Sequence, residues 1–292
     1  MKLIEAVPSI FERPLPVVGR SSSVVVAGTL LDYPRRDILT IAPEDGGSQP
    51  TTRSGKCFVF GGYSALLRLF ETEPEDHYRL LINPSRRASL LVRPLASDTE
   101  LADVLDEFYR TKFGWALVEE GGRYGVVALP DLIPLYRRGV LRTDLSIRDV
   151  ATPKVFRLSP GTSLRVVLRK MLERRMRRVF FPGSSSQFVS DREILTFMFR
   201  PERLTLARDN PHAILDATLE DVGDAKAVSV DGDSSVKDIS RTFTSDSGAW
   251  CVLCDGGLVT PWDMILKPWK MGRLTIGDKS SAGSRRSRGS AR

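Results

Sequence analysis

Histidine and cysteine are scarce in this chain. Its 292 residues include two histidines, His77 and His212, and three cysteines, Cys57, Cys251 and Cys254. Both histidines sit in acidic or Pro/Asn-containing loop-like contexts, so histidine-dependent catalysis and histidine metal sites find little support. An odd cysteine count without a secretion signal argues against a disulfide framework. Cys251 and Cys254 have CxxC spacing, but they lie in an apolar run that reads as a strand. Residues i and i+3 of a strand face opposite sides, which favours two buried cysteines over a metal or redox pair. No apolar run approaches the roughly 20 residues of a membrane span; the longest, 24–31, is strand-sized or a buried helical turn. The N-terminal segment lacks the apolar core of a signal peptide. These absences predict a soluble, cytoplasmic protein. Neither a P-loop nor a nucleophile-elbow motif is present, and GGRYG at 121–125 reads as a hairpin turn. With no evident set of nucleophile, base and metal ligands, the expectation is a protein without catalysis of its own and without a required cofactor.

What the chain does have is enough apolar material for a sizeable core: 41% of residues are hydrophobic and 27% charged. The length suggests about two domains. The formal charge is +7, but it is unevenly placed. Residues 275–292 hold Lys279, Arg285, Arg286, Arg288 and Arg292 against Asp278 alone. This Ser/Gly/Arg-rich stretch has no apolar periodicity and reads as a disordered basic tail.

One pattern recurs along the rest of the chain. An apolar strand leads to a Ser/Thr/Asp cluster and an amphipathic helix. Two further strands follow, the second ending in a small or hydroxyl residue. Two residues later comes an acid, then a second helix. In the third copy the strand is 154–158, the helix start 159–163, and Leu164, Val167, Leu168, Met171 and Leu172 form an apolar helix stripe. Strands 177–181 and 187–190 then lead to Glu193. The fourth copy has strands at 226–230, 250–253 and 257–260, a helix running from Val236 through Ile239 and Phe243, and Asp263. The second has a strand at 90–95, a helix from Leu101 through Val104, Leu105 and Phe108, strands 115–118 and 124–128, and Asp131. The first is the least regular, with an insertion at 43–55. Its equivalent of the acid is Ala65, and the four positions are separated by 66, 62 and 70 residues.

The third copy's segments 149–155, 159–164 and 189–195, together with 258–265 of the fourth, resemble the CBS domain, named after cystathionine β-synthase. The resemblance covers residues 4–272. It implies a mixed α/β fold of four βαββα repeats: a degenerate first at 4–72, then 80–140, 146–204 and 215–274. The repeats would pair in consecutive order into two modules, assembled as a flat disc. This arrangement is similar to archaeal stand-alone CBS proteins and to the gamma subunit of AMP-activated protein kinase.

The resemblance also implies clefts for an adenine nucleotide, with AMP, ADP and ATP as candidate ligands and S-adenosylmethionine as an alternative. An acid at a helix start can accept hydrogen bonds from both ribose hydroxyls, a strand-end Thr or Ser can donate to phosphate, and the helix N-terminus favours the anion. Carried over residue by residue, the first-choice cleft is Thr260 and Asp263 with Thr152, Lys154 and Val155. The matching phosphate contact before the second strand is missing there, at Ala249 and Trp250. The second choice is Arg177, Arg178, Ser190 and Glu193 with Lys226 and Val228. A third, weaker set is Val17 with Asp131, where Ala128 replaces the hydroxyl residue. The first copy has Gly62 and Ala65, and its cleft is expected to be empty or to fill differently.

Simpler readings stand beside these. Asp131 reads better as a helix-capping acid, and Arg174 and Arg175 as a solvated helix end. The whole chain then reads as a regulatory nucleotide-binding module that signals to an unidentified protein. Alternatives are a degenerate CBS scaffold for homodimerisation or docking, and weak nucleic-acid contact through the basic tail.

Overall fold

The amphipathic stripes become helices. Leu101, Val104, Leu105 and Phe108 are all buried on one side of the helix Leu101–Thr111, and Leu164, Val167, Leu168 and Met171 on one side of Leu164–Glu173. The computed structural model describes residues 1–12, 15, 17–19, 22–24, 38–41, 55–61, 68, 71–73, 76, 79, 89–174, 176–184, 186–210, 212–243 and 251–277. The expectations placed on Gly62, Ala65, His77, Arg175, Ala249 and Trp250, on most of 24–31 and 43–55, and on 278–292 lie outside the described residues. Among the described residues no helix is long and apolar enough to cross a membrane.

The chain divides into two compact units. The first comprises Met1–Arg13, Leu95–Thr152 and Val230–Arg292. In it, Leu95–Ala96 runs parallel to Trp115–Glu120, which pairs antiparallel with Arg123–Ala128. Gly121 and Gly122 turn that hairpin with φ of 55° and 81°, the double positive φ that matches strand twist in a two-residue turn. Val252–Cys254 and Gly257–Val259 form a second hairpin. Thr152 joins it at Leu258 through two backbone hydrogen bonds of 2.8 and 2.9 Å. Gly257 permits this approach, because a Cβ there would lie 2.8 Å from the Thr152 carbonyl oxygen. The helix Pro261–Lys270 follows directly. A single apolar core takes Phe108, Leu132 and Tyr136 from one stretch and Val236, Met264 and Ile265 from the other. The Tyr136 hydroxyl donates to the Met264 carbonyl at 2.5 Å.

The second unit comprises Pro14–Pro94 and Pro153–Ser229. One sheet runs Val17–Val18, Ile38–Ile41, Cys57–Gly61, Leu90–Val92; its first pair is parallel and the others antiparallel. The other runs Arg178–Phe180, Gln187–Ser190, Ala225–Lys226, all antiparallel, with Arg157 bridging parallel to Phe180. The helices Leu164–Glu173 and Asp191–Met198 close over a core that includes Phe60, Val179, Val189, Ile194 and Phe197.

Four sequence expectations differ from the structure. The strand at 154–158 reduces to the single bridge at Arg157. The strand at 90–95 splits into Leu90–Val92 and Leu95–Ala96, which join different sheets; Pro94 lies at the break and has no N–H for a ladder. The strand at 226–230 is likewise divided into Ala225–Lys226 and Val228–Ser229. The helix expected from Val236 to Phe243 is only Val236–Ile239, because Arg241 and Thr242 donate three residues back and tighten the turn. The compact units also differ from modules of consecutive repeats: the first combines three stretches, and the second two, that are not neighbours in sequence. Periodicity shows which face of a helix is apolar, but not which other helix covers it.

Candidate ligand site

Three acids sit where a strand ends and a helix begins, and each folds back on its own N-terminus. A hydroxyl residue followed three positions later by an acid closes a reciprocal cap.

Asp263 is the most enclosed, with 5% of its surface exposed. Its Oδ2 accepts from Thr260 N–H at 2.8 Å and Thr260 Oγ1 at 2.7 Å. Its Oδ1 accepts from Thr152 Oγ1 at 3.0 Å and from Lys267 Nζ at 2.7 Å. A carboxylate offers about four lone-pair positions, and protein donors take them all. Lys267 is equally committed: Nζ also donates to the Val150 carbonyl at 2.7 Å and to Thr152 Oγ1 at 2.9 Å. Of the first-choice set, Thr152, Thr260 and Asp263 come together. Lys154 and Val155 belong to the second unit, where Lys154 is exposed and Val155 buried.

Glu193 is arranged differently. Its Oε2 accepts from Ser190 N–H at 2.8 Å and from the Ser190 hydroxyl. Among the described residues its Oε1 has no hydrogen-bond partner, and the residue is half-buried. Arg178 lies directly across from Ser190 in the strand register, so the two side chains share a face. Of the second-choice set, Arg178, Ser190 and Glu193 are thus together. Arg177 pairs through its Nε with the buried Asp191 at 2.6 Å. Lys226 pairs in register with Gln187, three residues from Ser190, which places it on the opposite face. Val228 is 47% exposed.

The third acid, Asp131, accepts from the Ala128 N–H at 2.8 Å, the geometry of a helix cap. Val17 lies in the other unit and is exposed.

Sequence reasoning missed Lys267 and Asp191. Both were readable: Lys267 follows Asp263 by four residues, one helical turn, and Asp191 opens a helix beside an Arg pair. The three cysteines are buried thiols outside any disulfide, and burial pushes the Cys57 thiol up to about 12.

A family model for the CBS domain matches residues 147–181. No curated protein sequence matches the chain. Among solved structures, a protein of Methanocaldococcus jannaschii, proposed as an archaeal homologue of gamma-AMPK, is 13% identical. The alignment covers 91% of this chain and 99% of that one, with a TM-score of 0.74. An uncharacterised conserved protein of Pyrococcus horikoshii is 12% identical over 92% of this chain and 100% of its own, with a TM-score of 0.48. A CBS domain protein of Pyrobaculum aerophilum, solved with AMP, is 15% identical over 45% of this chain and 90% of its own, with a TM-score of 0.34. The chain carries a CBS domain match and has the mixed α/β CBS fold.

Proposed function

We propose that the chain is a regulatory module that binds an adenine nucleotide (AMP, ADP or ATP) and passes its occupancy to a partner protein, without catalysis of its own. Four repeats at 4–72, 80–140, 146–204 and 215–274 make up the module in this reading. Support comes from the CBS match over residues 147–181, from the shared fold, and above all from Glu193. Its Oε2 is held by Ser190 while Oε1 has no partner among the described residues. A carboxylate anchored on one side and open on the other is set to accept ribose hydroxyls. Arg178, on the same face as Ser190, adds positive charge for a phosphate. The site around Ser190 therefore replaces the one around Asp263 as the preferred seat.

Calorimetry with AMP, ADP, ATP and S-adenosylmethionine tests this reading. The expected result is binding of an adenine nucleotide that weakens about tenfold in Glu193→Gln and is unchanged in Asp263→Asn. At 100 times the dissociation constant the ligand should add about 2.7 kcal/mol of stability. No heat with any of the four ligands would overturn the reading. The second reading, a scaffold for dimerisation or docking, draws on the full internal engagement of Asp263. It predicts a concentration-dependent dimer in sedimentation that is indifferent to nucleotide.

A further inference from the structure

The first compact unit carries a surface that the nucleotide reading does not use. The end of the helix Leu101–Thr111, the link 112–114 and the helix Pro261–Lys270 gather aromatic rings and lysines. Lys112 has φ of 63°, uncommon for a residue other than glycine. Its Nζ lies 3.4 Å from the Tyr109 ring centroid and 5.7 Å from that of Trp262. Lys270 Nζ is 5.8 Å from the Tyr109 ring. Phe113 and Trp115 stack with centroids 5.3 Å apart and planes 14° apart. A Cβ on Gly114, between them in sequence, would be 3.8 Å from the Trp262 ring. Gly114 thus faces Trp262, which packs beside the core holding Ala116 and Val118, whereas Trp115 alternates to the other side of its strand.

All four rings are partly exposed and both lysines are exposed. The neighbouring acids are already matched. Glu107 pairs with Arg110 at 2.7 Å, and Asp106 accepts from Trp269 Nε1 at 2.7 Å. Among the described residues neither Lys112 nor Lys270 has a carboxylate partner. Their charge is felt by Tyr109: a hydrogen bond from Lys270, with both ammonium charges nearby, holds its hydroxyl below the ordinary phenol value. In sequence, the segment from Thr275 to Arg292 that follows the helix Pro261–Lys270 carries five cations against one acid.

We propose that this face binds single-stranded nucleic acid, with Lys112 and Lys270 on phosphates and Trp262 stacking a base. Rings interleaved with cations are the chemistry of strand binding without sequence preference. A duplex hides its base faces, and an acidic peptide supplies charge without planar rings to stack. The proposal uses neither Glu193 nor Asp263 and stands apart from the nucleotide reading.

The test is fluorescence anisotropy of the full chain with a labelled single strand of about 16 nucleotides, long enough for one site of this kind. The same sequence as a duplex and a polyglutamate peptide serve as comparisons. The expected result is preferential binding of the single strand. Lys112→Ala with Lys270→Ala should weaken it about tenfold and lower the salt slope by about 1.4, the share of two phosphate contacts. Trp262→Leu should weaken binding about fivefold with the slope unchanged. The proposal is overturned if the full chain does not bind the single strand, or if duplex or polyglutamate binds as tightly. It is also overturned if removing residues 278–292 abolishes binding while the lysine pair has no effect.

Discussion

Replacing Lys267 with methionine should destabilise the first compact unit by about 2 kcal/mol. The lysine makes three contacts: Asp263 Oδ1 at 2.7 Å, the Val150 carbonyl at 2.7 Å and Thr152 Oγ1 at 2.9 Å. Methionine keeps the apolar stem and removes all three. The Asp263 carboxylate would then stay buried with only threonine donors, and the Val150 carbonyl would lose its lysine donor. Breaking a buried ion pair by removing one partner costs about 3–5 kcal/mol. The Lys267 side chain is 33% exposed, so water can replace part of what is lost and the lower figure follows. The readout is urea unfolding followed by tryptophan fluorescence. Trp115, Trp262 and Trp269 all lie in this unit, and the second unit's sequence contains no tryptophan. Asp263→Asn in the same background closes a double-mutant cycle, and a coupling of at least about 1 kcal/mol is expected for directly contacting groups. A Lys267→Met variant within about 0.5 kcal/mol of the parent, the ordinary range of a surface substitution, would refute the reasoning.

Three further outcomes follow from the same geometry. Gly257→Ala should cost about 1–3 kcal/mol, measured by the same unfolding curve, because its Cβ would press on the Thr152 carbonyl 2.8 Å away; a neutral result would mean that the Thr152–Leu258 bridge is not held tightly. Cys57, with its thiol raised to about 12 by burial, should resist iodoacetamide at pH 8 until the chain is unfolded, as mass spectrometry would show. Asp149 and Asp221 are held below the usual carboxylate range, chiefly by backbone hydrogen bonds from Ser146 and Thr218. Their folded values lie under their unfolded ones, so their contribution is present above about pH 4 and is lost as pH falls below it. Asp149→Asn and Asp221→Asn, which remove the titrating carboxylates, should flatten that acid limb in circular dichroism; an unchanged limb would count against these caps.

Much of the fold was legible because local rules suffice for it. The stripe at Leu101, Val104, Leu105 and Phe108 specifies a helix and its buried side wherever that helix packs. Gly121–Gly122 specifies a tight hairpin. The acid three residues after Thr260 or Ser190 specifies a helix start. The short strands were less legible. The segment 90–95 is apolar throughout, and only its partners reveal that Leu90–Val92 and Leu95–Ala96 serve different sheets. At the candidate site the residue types were readable and their availability was not. Asp263 and Glu193 look alike as sequence, yet one is saturated by Thr260, Thr152 and Lys267 and the other keeps an oxygen without a partner among the described residues.

By itself the sequence determined the scarcity of histidine and cysteine, the helix faces, the helix starts with their acids, and the concentration of positive charge after residue 275. Those properties depend on composition and on neighbours within one helical turn or one hairpin. Tertiary structure decided which stretches share a core, and which partner each acid finds. It also decided that Tyr109 and Trp262 meet two lysines with no carboxylate partner among the described residues. Each of these depends on groups far apart in the chain: Lys267 meets the Val150 carbonyl across 117 positions, a contact that no local pattern encodes.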